Sequence, residues 1–236
     1  MYVAIRGVIY RTMDGIAYEE FWRTKSPAVT SMCVYMDALF VGTSPDGLIL
    51  FHNFNTGFRC TYVATGDYSV SAMVSDDAVL YAATFPSGEV LSFNGKEWNK
   101  IYESNTDVSS VCIHGGVLYL FSHGDGAVRV YSSGKWTFME DGGVPFAVGV
   151  KNMVSPAPSM VDPSAETGLS SSASFGGLLY FTGDKKPVVY SYDGKDVTVV
   201  YKFGGGTIGS MSVSDGQLFI SVGDSLYVMQ EVLRAD

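Results

Sequence analysis

The chain has 236 residues and a formal net charge of −9; it is 47% hydrophobic, 14% aromatic and only 17% charged, with 27 glycines and 15 tyrosines. An acidic chain without basic runs argues against a phosphate backbone as ligand, so no nucleic acid partner is expected; no apolar run is long enough for a membrane-spanning helix, so no membrane insertion is expected either. The start, MYVAIRGVIYRTMDG, lacks a secretory leader pattern, and three cysteines without CxxC spacing fit free thiols, so a cytoplasmic setting is expected.

Taken in order, the chain keeps returning to one pair, a Leu followed by an aromatic. Met1-Tyr2 opens the series, and Leu39-Phe40, Leu80-Tyr81, Leu118-Tyr119, Leu179-Tyr180 and Leu218-Phe219 continue it, at intervals of 38, 41, 38, 61 and 39 residues. One period of about 40 residues with a single insertion accounts for all five intervals. Upstream of five of the pairs lies a run of small residues: TSMCV, SAMVS, SSVCI, SSASF and GSMSV. Downstream comes a turn at Gly7, Gly47, Gly88, Gly126, Pro187 or Gly223-Asp224, then a second apolar run. A further turn follows in five units, written MDG, NTG, NGK, SGK and DGK, and Asn-Gly and Asp-Gly are strong hairpin signals. Each unit therefore predicts four short antiparallel strands, labelled A (small), B (the Leu-aromatic pair), C and D.

Four antiparallel strands repeated at this period predict an all-β chain folded as a β-propeller, one domain over 1–236 with a Pro-rich insertion at about 143–168. Six B strands favour six blades over five blades with accessory terminal strands. The stretches LYAATFPSGEVLSFNGKEW and LYLFSHGDGAVRVYSSGKW look like the repeats of BNR and kelch-like propellers of bacteria and bacteriophages, a resemblance that covers most of the chain. It implies the fold and suggests a virion or phage-tail setting. The Asp-box pattern Ser-x-Asp-x-Gly-x-x-x-Trp is not intact, and SFNGKEW has Asn94 near the place of its Asp, so no sialidase activity is implied.

In an antiparallel meander the B–C turns and D–A loops share one surface, and the A–B and C–D turns share the other. Asp46, Pro86, His123, Asp125, Asp184, Lys185 and Lys186 fall on the B–C surface. The insertion joins them with Phe146, Met153 and Met160, and connections of that length tend to be functional. This surface is the candidate binding site for a protein partner. Trp98, Trp136 and Tyr18 recur after the C–D turn and are the candidate sugar-stacking rings of a glycan-binding alternative. A third reading is a hydrolase or lyase using Asp46, Asp125 and Asp184 at the axial mouth, although Asp in tight turns more often serves the turn itself. His52, His114 and His123 are scattered over different elements, and Cys33 and Cys112 occupy equivalent inner-strand places suited to core filling, so neither metal nor cofactor is expected. The leading expectation is a non-catalytic interaction or structural propeller, cytoplasmic or virion-associated.

Overall fold

The computed structural model describes residues 1–14, 16–104, 106–123, 125–141, 144–145, 168–183, 187–214 and 216–230. Alternating side chains and glycine-bearing turns fold these residues into six antiparallel sheets, the blades of a six-bladed β-propeller. The first holds β1 (Tyr2–Ile5), β2 (Val8–Arg11) and β3 (Glu19–Arg23). The second holds β4 (Ala28–Tyr35), β5 (Ala38–Ser44), β6 (Leu48–Asn53) and β7 (Arg59–Ala64). The third holds β8 (Ser69–Ser75), β9 (Leu80–Phe85), β10 (Val90–Phe93) and β11 (Trp98–Tyr102). The fourth holds β12 (Val108–His114), β13 (Val117–Ser122), β14 (Val128–Ser132) and β15 (Lys135–Phe138), after which β16 (Glu140–Asp141) and β17 (Val144–Pro145) form a short ladder. The fifth holds β18 (Leu169–Phe175), β19 (Leu178–Gly183), β20 (Val188–Tyr192) and β21 (Val197–Lys202), and the sixth β22 (Ile208–Ser214), β23 (Gln217–Val222) and β24 (Ser225–Gln230). The predicted strand types A to D recur in that order. Among the described residues the first sheet has no A strand and the last no D strand.

Two compact units divide the chain, Met1–Val108 and Ser109–Asp236. In the first, the Leu-aromatic pairs face opposite sides of their sheet, as period-2 alternation requires. Leu39 joins Ile9, Val41 and Leu50 toward the first sheet, while Phe40 joins Tyr35, Ile49, Val70, Leu80 and Phe93 toward the third. In the second unit Leu179 and Phe181 pack toward the fourth sheet, with Phe121 5.6 Å from Phe181, and Tyr180 and Val189 pack toward the sixth. One sheet thus feeds two cores, which is why a lone blade could not bury its own surface.

The small inner strands carry a device beyond crowding. Strands β4, β8, β18 and β22 each bulge near their start, at Thr30, Ser71, Ser170 and Gly209. Thr30 Oγ1 donates to the Val70 carbonyl at 2.7 Å, and Ser71 Oγ to that of Val108 at 2.6 Å. In the second unit Ser109 Oγ donates to the Leu169 carbonyl, and Ser110 and Ser172 pair at 2.8 Å. Hydroxyls near the strand start thereby tie β4 to β8 in the first unit and β12 to β18 in the second.

Candidate functional site

The B–C surface of the first unit is built from two near-identical turns, Ser44-Pro45-Asp46-Gly47 and Phe85-Pro86-Ser87-Gly88, each with a cis X-Pro bond. A buried threonine is the last but one residue of the strand before each turn, Thr43 and Thr84. Asp46 accepts from Thr43 Oγ1 at 2.6 Å and from Ser26 Oγ at 2.5 Å, Ser26 lying in the D–A loop just before β4. The second turn reverses the roles: Ser87 in the turn donates, through Oγ and its backbone N–H, to Asp67 in the D–A loop. Burial raises the Asp46 and Asp67 carboxyls, but the donated hydrogen bonds outweigh it and hold both below the usual carboxylate range. Such carboxylates are turn staples, poorly suited to general acid work at neutral pH.

The turn glycines complete the lattice. A Cβ on Gly47 would lie 2.0 Å from the Asp67 carbonyl oxygen, one on Gly88 2.0 Å from that of Thr106, and one on Gly7 2.2 Å from that of Ser26. Each B–C turn therefore rests directly on the D–A loop leading into the next sheet, so the surface is rigid. Its exposed residues include Pro45, Asp46, Phe85, Pro86 and Tyr68, and the Tyr68 N–H donates to the Phe85 carbonyl at 3.0 Å. Tyr68 is 56% exposed and Phe85 39%. Neither was singled out from the sequence. The available signal is positional, since Phe85 ends its B strand where the preceding B strand carries Ser44.

In the second unit Asp125 accepts from the Ala127 N–H at 3.0 Å and from both terminal nitrogens of Arg129, whose guanidinium lies 5.3 Å from the Phe138 ring. Burial pushes this carboxyl up, and the Arg129 hydrogen bonds overcome that and lower it. His123 is exposed, and a Cβ on Gly168, at the end of the insertion, would lie 2.0 Å from its backbone carbonyl oxygen. Asp184, Lys185, Lys186, Phe146, Met153 and Met160 lie outside the described residues. Asp46 belongs to the first unit and Asp125 to the second, each with its own partners.

Two of the three aromatic candidates, Trp98 and Trp136, use ring faces within the fold. Trp98 stacks on Phe93 at 4.9 Å and 19°, its indole N–H buried without an acceptor among the described residues. Trp136 lies 4.8 Å from Tyr131, while Tyr18 is 46% exposed. Burial pushes the Cys112 thiol up to about 12 and raises Cys33, so neither is a ready thiolate. No group of three His, Cys, Asp or Glu side chains converges among the described residues, and none of their helices is long and apolar enough to cross a membrane.

His52 is buried among Phe21, Trp22 and Phe54, and its Nδ1 accepts from Arg59 Nε at 3.1 Å. The same guanidinium lies 5.0 Å from the Phe21 ring and 5.2 Å from the Trp22 ring. Burial, then the Arg59 charge, lowers the His52 pKa. A histidine depressed in the folded state binds its proton preferentially in the unfolded one, so its contribution is complete above the unfolded value of about 6.5 and is lost as pH falls through the folded value. Urea midpoints should fall as pH drops from about 7 toward 5, with part of that slope missing in His52→Phe; an equal slope in the variant would show that His52 is not its source.

No protein-family model matches the chain, and no curated protein sequence does. Solved structures do resemble it. Virginiamycin B lyase from Staphylococcus aureus superposes with a TM-score of 0.68 at 9% identity, over 97% of this chain and 79% of that one. A chain of a nidogen/laminin complex gives 0.69 at 10% identity over 97% and 88%, and one of a mitotic checkpoint complex 0.66 at 14% over 98% and 70%. At such identities the likeness shows the fold alone: the chain is similar to these proteins as one β-propeller is to another.

Proposed function

We propose that the protein is a non-catalytic interaction propeller that binds a protein partner through its B–C surface. The observation that carries this reading is the pairing of rigidity with exposed apolar groups, Tyr68, Phe85 and Pro86 standing on turns locked by Asp67, Ser87 and Gly88. Aromatic side chains on a preorganised frame lose little entropy on binding and are common interface anchors. The internal use of the Asp46 and Asp125 carboxylates supports this reading over a hydrolase or lyase. Two of the similar structures are of protein complexes, which agrees with it. The resemblance to phage propeller repeats points to a virion or tail-associated setting.

The test is capture from native lysate or particle preparation on immobilised protein, compared with the Tyr68→Ser/Phe85→Ser variant. A partner retained by the parent should bind the variant at least about tenfold more weakly. Equal retention would remove this surface from consideration, and saturable sugar binding without protein capture would replace it with the glycan reading.

A further inference from the structure

The Asn94-Gly95 pair joins β10 to β11 in the third sheet. The C–D turns at Asn53, Asn94 and Asp193 share one device: Oδ1 of the leading side chain accepts the backbone N–H groups two and three residues on. At Asn94 these bonds measure 3.0 and 3.1 Å, and residues 94–97 are all exposed.

Two N–H groups on an amide oxygen do more than fix a turn. They lie where negative charge would gather if a nucleophile added to Asn94 Cγ, the arrangement that stabilises a tetrahedral oxyanion. The next nitrogen in the chain can be that nucleophile. The Gly95 N–H donates to no group among the described residues, the residue is exposed to water, and no Cβ hinders its approach. Asn53 supplies the contrast. Its Oδ1 accepts the same two N–H groups and Thr56 Oγ1 besides, but the nitrogen that follows belongs to Phe54 and donates to the Asp37 carbonyl at 3.0 Å.

We propose that Asn94 is a self-modifying site, converted to an aspartyl residue by attack of the Gly95 nitrogen. Hydroxide removes the Gly95 amide proton, the nitrogen adds to Cγ, and the side-chain nitrogen leaves as ammonia with a proton from water, closing a five-membered imide. Water then opens the ring. Cleavage of the new Cγ–N bond gives aspartate, and cleavage at the Asn94 main-chain carbonyl gives isoaspartate. In sum one water enters and one ammonia departs, and the turn gains one negative charge on a chain already at −9.

The aspartate product has a template in the same protein. Asp193-Gly194-Lys195-Asp196 repeats Asn94-Gly95-Lys96-Glu97 with a carboxylate at its head, and the backbone N–H groups of Asp196 and Lys195 hold that carboxyl below the usual range. Isoaspartate has no such template. It adds a methylene to the main chain of the turn that closes the Phe93–Trp98 pair, where a Cβ on Gly95 would already lie 2.9 Å from Met36 Sδ.

Neither the site nor its test involves the B–C surface. Peptide mass mapping of the 236-residue chain after incubation at neutral and mildly alkaline pH, native and in urea, provides the test. In the native protein Asn94 should convert at least about tenfold faster than Asn53, at a rate that rises with hydroxide. Asn94→Asp should keep the parent's urea midpoint, while the chromatographically separated isoaspartate form should unfold at lower urea. An Asn94 that stays intact in the native protein but converts in urea overturns the proposal, because the turn would then shield it. Equal conversion at Asn53, or no conversion in either state, overturns it as well. An Asn94→Asp protein clearly less stable than the parent would overturn the match to the Asp193 turn.

Discussion

Gly47→Ala should be among the most destabilising single substitutions in the first unit, costing about 3 kcal/mol or more, while Gly57→Ala costs about 1 kcal/mol. Both glycines have positive φ, 55° and 70°, so both substitutions pay for a left-handed backbone. Only Gly47 adds a clash, because its Cβ would sit 2.0 Å from the Asp67 carbonyl oxygen, whereas nothing lies within 4 Å of one on Gly57. The clashing atom is backbone, so relief requires moving the D–A loop and with it the start of β8. Urea unfolding of the two variants separates the contributions. Equal midpoints would mean that the turn is free to shift and that the B–C surface is not rigid.

Asp46→Ala should cost about 1.5 kcal/mol, since it leaves the Ser26 and Thr43 hydroxyls without their charged acceptor. The informative variant is the exchange Ser26→Asp/Asp46→Ser. It recreates in the second sheet the arrangement that Asp67 and Ser87 already make in the third, so it should recover most of the loss, and a double-mutant cycle should return a coupling of about 1 kcal/mol or more. Because the Asp46 pKa is lowered in the folded state, its contribution is present above the unfolded carboxyl value of about 3.9 and is lost as pH falls through the folded one. An Asp46→Ala protein as stable as the parent would reopen a chemical role for this carboxylate.

The strands, their order within each blade, the number of blades and the separation of two turn surfaces were legible in the amino-acid sequence. Each is set locally, by side-chain alternation, by turn residues and by a pair such as Leu80-Tyr81 that recurs often enough for single departures not to obscure it. The inner serines show the limit. SAMVS and SSVCI read as small residues at a crowded place, yet the acceptor of Ser71 is the carbonyl of Val108 and that of Ser109 the carbonyl of Leu169, 37 and 60 residues onward. Asp46 and Ser87 likewise look like ordinary turn residues until the loops holding Ser26 and Asp67 come beside them. The burial of His52 against Arg59 and the exposure of Tyr68 and Phe85 are of the same kind. Local sequence determines which backbone conformations a segment prefers, but which groups are satisfied, buried or left open depends on partners that only the packing of one blade on the next brings within reach.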